Sequence, residues 1–334
     1  MNMGKEMWGI NLPQKIEFSF CEDENCLNMH INHPEKPMYA DSAAFEAWAL
    51  FLHGKKKCDV KLSFENVNWD GAFEDLLSEQ ANYMRFLYRA WKFSDDDVLP
   101  WFKIAPENKG IVKRFKDKFR DLKNKNLLRH NIPKCEARIS SSDSKTEHHF
   151  ENAFVNQASG ILSSIVKNAD QTIIKKFNNQ LPVGLFEDVI QNKSRIFPTG
   201  YLDLWGISEV NDFCLFELKV ADTGGKDNDF KQAGIISELF FYANYCKDIF
   251  MDQTNVEVVK KPYRRYEQLQ EAQKKEIKKI RAYFLAPKYH SQIDTNFVEN
   301  QLNKIDKSIS YKFLKYNYSE IKPIAEQIKQ AAKK

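Results

Sequence analysis

The sequence predicts an α/β protein with a mixed central sheet flanked by helices, preceded by an N-terminal α+β domain. Three observations carry that expectation. Strand-like runs alternate with helical stretches through the C-terminal half. Apolar residues there repeat with period 2 in some segments and near 3.6 in others. A serine-rich stretch, Ser140-Ser141-Ser142-Asp143-Ser144, divides that half from a differently patterned N-terminal one. The 334 residues suffice for one large or two ordinary domains. We expect them at 1–139 and 144–334, the second carrying a basic helical insertion at about 253–280.

In the first half, strand-like segments near 15–33 and 57–66 precede helical stretches at about 72–91 and 107–128. The former helix carries Phe73, Leu76, Leu77, Tyr83, Phe86 and Leu87, and the latter Ile111, Val112, Phe115, Phe119 and Leu122. Cys21, Cys26, His30 and His33 have the ligand types of a zinc site. However, Ile16–Phe20 and Leu27–Ile31 alternate like strands around the turn Glu22-Asp23-Glu24-Asn25. A hairpin whose cysteines flank the turn is the better reading.

After the serines, a helix at about 145–168 has Phe150, Phe154, Ala158, Ile161, Leu162 and Ile165 on one stripe. Strands follow near 183–190, 197–207 and 213–220, then a helix at about 228–248 and a lysine-rich helix at about 264–279. Arg281–Pro287 reads as a buried strand, and a helix near 293–304 and a strand near 309–316 finish the core. This mixture is what implies a mixed sheet between helices.

Composition narrows the class. The 25 Phe and 13 Tyr supply a core, and no apolar run approaches the roughly 20 residues that cross a bilayer. Met1-Asn2-Met3-Gly4-Lys5-Glu6 lacks the apolar stretch of a signal peptide, so a cytoplasmic location is expected. Six scattered cysteines are then most simply thiols. A formal net charge of +4 excludes a polycation, so any nucleic-acid surface must come from local patches.

The chemistry concentrates in Gly200–Trp205 and Phe216–Val220, joined by the polar loop Ser208-Glu209-Val210-Asn211-Asp212. With the hairpin centred on Val210, Asp203 falls opposite Glu217 and Tyr201 opposite Lys219; alternation then puts Asp203, Glu217 and Lys219 on one face. Directly opposed like charges destabilise a strand pair. A divalent cation would justify them, since Mg²⁺ is bound through one or two carboxylates plus substrate phosphate. A lysine beside them adds charge for a phosphate, which makes a set suited to phosphodiester hydrolysis. The competing reading is a solvated hairpin with Glu217–Lys219 as a surface pair.

Two further elements adjoin this set. Glu147 and Glu151 share the inward stripe of the helix opening the second half. Either acid can complete a metal site, although Ser144-Lys145-Thr146-Glu147 equally fits a capping box with Glu147 at N3. Past Lys219, the loop Ala221–Lys226 leads to a helix with Asp227 or Asn228 as N-cap. Gln232 lies on its apolar stripe, placed either to bind phosphate or water or to be a satisfied buried amide.

Together these residues resemble the PD-(D/E)XK nuclease superfamily, with its restriction-endonuclease-like core. The resemblance spans about 145–318, through the helix with Glu147, the strand with Asp203, Glu217-Leu218-Lys219, and the later helix–strand–helix–strand order. It implies Mg²⁺ or Mn²⁺ held by Asp203, Glu217 and Glu147, with the Leu218 carbonyl as a further ligand and Lys219 as the catalytic lysine. Gly200-x-x-Asp203 and Glu217-x-Lys219 look most like RecB-type and related repair nucleases. Leu202 replaces the proline of the superfamily's name. Where the RecB-type helix has Gln-x-x-x-Tyr, this chain has Glu238-Leu-Phe-Phe-Tyr242, and Gln232 lies six residues earlier.

The expected function is thus a metal-dependent DNA endonuclease, with RNA left open as substrate. The alternative is a silent nuclease-like module that grips nucleic acid or a protein partner. Lys260, Lys261, Arg264 and Arg265, in a stretch continuing to Arg281 with Tyr263 and Tyr266 interleaved, are one candidate backbone-binding patch. Lys109, Lys113, Arg114, Lys116, Lys118, Arg120, Lys123 and Lys125 form another. Either is also readable as a solvated helix face. The N-terminal domain could recognise a target, mediate homo-oligomers or receive an activating partner or ligand. A role in phage defence or DNA repair is an analogy with standalone nucleases.

Overall fold

Period-2 alternation in the N-terminal segment produces the hairpin that the sequence suggests. A short ribbon, β1 (Glu6–Met7) and β2 (Ile10–Asn11), is followed by β3 (Ile16–Cys21) and β4 (Cys26–Ile31), which pair antiparallel with Cys21 facing Cys26. Both cysteines are free thiols, and His30 Nδ1 lies 2.9 Å from Ser63 Oγ. Then come α1 (Phe45–Lys56), β5 (Asp59–Phe64), α2 (Ser78–Phe93), β6 (Phe102–Ile104) and α3 (Pro106–Asn124). The computed structural model describes residues 6–13, 16–36, 43–73, 78–94, 98–131, 146–220, 233–252, 264–289 and 293–331. The serine stretch and Cys135 lie outside them.

Strands β3-β4-β5-β6 form a mixed four-stranded sheet. The larger sheet starts with β7 (Leu128–His130), on the N-terminal side of the expected boundary, which pairs with β8 (Ile174–Glu187). Between them lie α4 (Thr146–Val155) and α5 (Ser159–Asp170), where one helix is expected. The chain turns at Asn156–Ala158, and the Ser159 hydroxyl donates to Asn156 O at 2.8 Å. Local side-chain bonding of this kind competes with helix continuation.

The chain continues through β9 (Arg195–Ser208), β10 (Phe213–Leu218), α6 (Ala233–Cys246), α7 (Arg264–Lys274), β11 (Ile280–Ala286), α8 (Thr295–Ile305), β12 (Ile309–Lys315) and α9 (Tyr318–Ala331). A single π-helical turn, Lys247–Met251, extends α6. The sheet order is β12-β11-β10-β9-β8-β7, with the first two pairings parallel and the rest antiparallel. Helix α7 stops before the expected 279, and α9 was not expected. Pro323 falls inside α9, a residue that argues against helix interior in a sequence scan; burial of Ile321 and Ala325 holds the helix down.

Two apolar cores flank the large sheet. On one face α4, α5 and α9 bury Phe150, Phe154, Leu162, Leu204, Phe216, Leu218 and Ile321. On the other, the expected N-terminal domain and the sheet share a single core. Tyr88 of α2 stands 5.2 Å from Phe197 of β9 and 5.9 Å from Phe241 of α6, and Phe119 of α3 packs 6.2 Å from Phe197. Each such aromatic contributes roughly 1.5–3 kcal/mol through burial. Among the described residues, no helix is long and apolar enough to cross a membrane.

Candidate active site

The site forms where β10 ends. The hairpin loop 209–212 closes with Asn211 at φ 67°, a left-handed conformation that asparagine tolerates, and Asn211 N–H donates to Ser208 O at 3.0 Å. That turn sets the register: Phe213 pairs with Ile207 and Phe216 with Leu204, which places Glu217 opposite Asp203 as the sequence predicts. Asp203 then accepts the Leu218 N–H on Oδ2 at 2.8 Å. The Lys219 main chain is fixed on both sides, its N–H donating to Leu285 O at 2.9 Å and its carbonyl accepting the Tyr316 hydroxyl at 3.2 Å.

Three acids, on β10, α6 and α4, contact the Lys219 ammonium, and Asp203 on β9 adds its field. The ammonium donates to Glu217 Oε1 at 2.6 Å, stands 3.2 Å from Glu238 Oε2 on α6 and reaches Glu147 Oε1 on α4 at 3.9 Å. Glu217 is 3 % exposed. Glu238 Oε2 is buried with no hydrogen bond, since its contact with the ammonium lacks hydrogen-bond geometry. Glu151, one turn beyond Glu147, is more deeply placed than its neighbour at 1 % exposure. Gln180 Nε2 donates to its Oε2 at 2.7 Å, and His148 Nδ1 lies 3.1 Å from its Oε1. Gln180 falls opposite Asp203 between the pairs Asn179–Leu204 and Leu181–Leu202, and its φ of 53° is unusual for a non-glycine residue.

This charge balance perturbs the protonation equilibria of Asp203, Glu217, Glu147 and Lys219. Burial raises Asp203 well above the usual carboxylate range; Glu151 and Glu147 add to it, while Lys219 and the Leu218 N–H oppose it. Burial likewise raises Glu217, reinforced by Asp203 and Glu238. Glu147, partly solvated, is raised by desolvation and by Glu151 and Glu238. Burial works against the charged form of Lys219, yet Glu217, Glu238, Glu147 and Asp203 outweigh it and raise the lysine well above its ordinary value. One ammonium cannot neutralise so many desolvated acids, so the acids either hold protons or acquire another cation.

Of the residues singled out by sequence, Asp203, Glu217, Lys219 and Glu147 converge. Gln232 lies outside the described residues, as does the Ser144 of the capping box. The sequence left Glu238 and Tyr242 without a role, and both belong to the site. Their signal was the four-residue spacing in place of Gln-x-x-x-Tyr. Tyr242 is buried, and a Cβ on Gly200 would stand 2.7 Å from its hydroxyl oxygen, so glycine admits the ring to the strand. Burial, then Glu238 and Glu217, hold the Tyr242 phenol far above its normal range.

The basic patches fare differently. Lys260 and Lys261 lie outside the described residues, and Arg264 and Arg265 open α7 with side chains that lie outside them too. Tyr266 is buried against His130 rather than presented to solvent, and Arg281 is committed to Asp212 at 2.6 Å and Asp170 at 3.2 Å. On α3, Lys123 pairs with Asp248 and Asp252 and Lys118 with Glu187, whereas Lys109, Lys113, Arg114 and Arg120 face solvent.

Among the described residues, no three His, Cys, Asp or Glu side chains stand together as a ready-made metal-ion cage; the acids close on Lys219 instead. The donor set is nonetheless all carboxylate oxygen, with a surplus of acid over base and one buried oxygen lacking a hydrogen bond. That chemistry fits a hard divalent cation such as Mg²⁺ or Mn²⁺. In comparisons with known proteins, no family model, curated protein or solved structure matches the chain.

Proposed function

We propose that this chain is a divalent-metal-dependent nuclease of the PD-(D/E)XK type, with a restriction-endonuclease-like core, acting on DNA phosphodiester bonds. The observation that carries the reading is the juxtaposition of Asp203 and Glu217 on paired strands with Lys219 bonded to Glu217 and approached by acids from α4 and α6. A purely structural cluster gains nothing from opposing buried carboxylates, which cost stability unless a ligand compensates them.

Asp203, Glu217 and an acid of α4, Glu147 or Glu151, would hold the cation. Once bound, it would supply a Lewis acid for the phosphate and a more acidic water. Asp203 is already oriented by the Leu218 N–H, which removes one freedom that substrate binding would otherwise have to fix. Lys219, pinned through its backbone, would move its ammonium from Glu217 to the phosphate, whose charge grows during displacement. A second reading, a silent nucleic-acid-binding module, draws support from the same lysine, which already occupies the centre of the acids.

Cleavage of supercoiled plasmid in Mg²⁺, in Mn²⁺ and in EDTA separates the two. We expect nicking by wild type only with a divalent metal, lost in Lys219→Ala and Asp203→Ala. Salt-sensitive DNA binding without cleavage under either metal would favour the silent module. Equal cleavage by both variants would remove these residues from the active site.

A further inference from the structure

Resting on the nuclease reading, we infer that the N-terminal helices α1 and α2 set the register of α6 and thereby place Glu238 and Tyr242, with Ser237 as the positioning residue that joins them to the site. Contact between α2 and α6 through Tyr88, Phe240 and Phe241 is apolar and non-directional, and would tolerate a shift of α6 along its axis. Buried polar groups remove that tolerance. Glu46 of α1 and Arg89 of α2 are 0 % and 1 % exposed. Arg89 Nε donates to Glu46 Oε1 at 2.7 Å, a second guanidinium nitrogen donates to Glu46 Oε2, and the same nitrogen donates to Ala43 O at 2.6 Å. The Ser237 hydroxyl on α6 donates to Glu46 Oε2 at 2.7 Å.

One turn earlier on α2, the buried Arg85 guanidinium lies 5.6 Å from the Phe241 ring, next to Tyr242. About three turns past Ser237, in the π-helical turn that extends α6, Asp248 Oδ2 accepts the Tyr88 hydroxyl at 2.7 Å. The polar contacts therefore run along the α2–α6 seam, and sliding α6 by a turn would strand each of them. A desolvated ion pair is a weak source of stability, and its best-attested use is to fix registry. The residue after Ser237 is Glu238, 3.2 Å from Lys219, so register error in α6 becomes misplacement of an acid at the centre. In this arrangement the first 130 residues are a template for the active-site helix rather than a detached recognition module.

The test compares wild type with Ser237→Ala and with Ile31→Val, a mild core truncation in β4 remote from α6. Thermal midpoints, hydrogen exchange of peptides covering 233–246, and kcat and KM for plasmid in Mn²⁺ are measured for each. Ser237→Ala should speed exchange in α6 and lower kcat by about tenfold or more with KM within about twofold, because small misplacements at a reacting centre cost rate rather than binding. Ile31→Val should shift the midpoint while leaving exchange in α6 and kcat as in wild type. If Ser237→Ala changes exchange and kcat no more than Ile31→Val does, the positioning role is overturned. Should wild type fail to cleave with any divalent metal, the nuclease reading falls on its own. Exchange still decides the register: α6 protection lost in Ser237→Ala supports it, and protection retained overturns it.

Discussion

Replacing Glu217 by glutamine should make the protein more stable and inactive at once. Glu217 is buried beside Asp203 and Glu238, and both neighbours and burial disfavour its ionised form. An acid raised in this way costs stability as the pH climbs above its unfolded value, because the unfolded chain releases the proton freely and the folded chain does not. The amide keeps the shape and removes one like charge; Lys219 retains Glu238 and Glu147 as partners. Relief at a strained functional site is worth on the order of 1–2 kcal/mol. With unfolding entropy of about 2.1 cal/mol/K per residue, that is a rise in Tm of about 1.5–3 °C for a chain this long. Mg²⁺ or Mn²⁺ should reverse the stability order of the two proteins. At a hundredfold excess over Kd, wild type should gain about 2.7 kcal/mol, near 4 °C, and Glu217→Gln almost nothing. Differential scanning fluorimetry at pH 7.5, with and without metal, measures all four values. A lowered Tm in Glu217→Gln, or a wild-type Tm indifferent to both metals, would refute the reasoning.

Two predictions concern other positions. Gly200→Ala drives a Cβ to 2.7 Å from the Tyr242 hydroxyl, with the next atoms at 3.6 Å, so it should cost about 1–3 kcal/mol in chemical denaturation; adding Tyr242→Phe, which deletes the clashing oxygen, should recover most of that loss, and no recovery would mean the conflict lies elsewhere. His130 is held neutral by burial, its pKa pushed down from 6.5 to about 3. The Tyr245 hydroxyl donates to Gly184 O and so accepts from His130 Nδ1, leaving Nε2 bare. Only the unfolded chain takes a proton between those values, so stability is full above pH 6.5 and is lost as pH falls. The loss from this residue should be about 2 kcal/mol between pH 7 and 5. Urea midpoints of His130→Phe should lack that part of the acid limb, and an acid limb as steep as wild type would contradict the assignment.

Much of the β9–β10 hairpin was legible in residue order because it is local. A polar five-residue loop fixes which residue faces which, and alternation does the rest, so the opposition of Asp203 and Glu217 needed no tertiary information. The hydrophobic stripes of α3 and α6, the helix α8, the buried strand β11 and the hairpin of β3 and β4 were legible for the same reason. What failed were features settled by distant partners: the break between α4 and α5, α9 despite its proline, and the burial of Tyr266 and ion pairing of Arg281 in a stretch that reads as basic surface. The serine stretch marks a change of pattern, yet the halves on either side share one core.

By itself, then, the sequence determined the mixed α/β class and the Asp203–Glu217–Lys219 arrangement, since strand register and side-chain alternation are short-range. Only the tertiary structure decided that Glu151 and Glu238 join them and that Tyr242 rests on Gly200. It also decided that the N-terminal helices hold α6 through Glu46, Arg89 and Ser237. Those contacts link residues 19 to 191 positions apart, and which of many buried acids, amides and aromatics meet at such separations depends on how the layers pack, not on any local pattern.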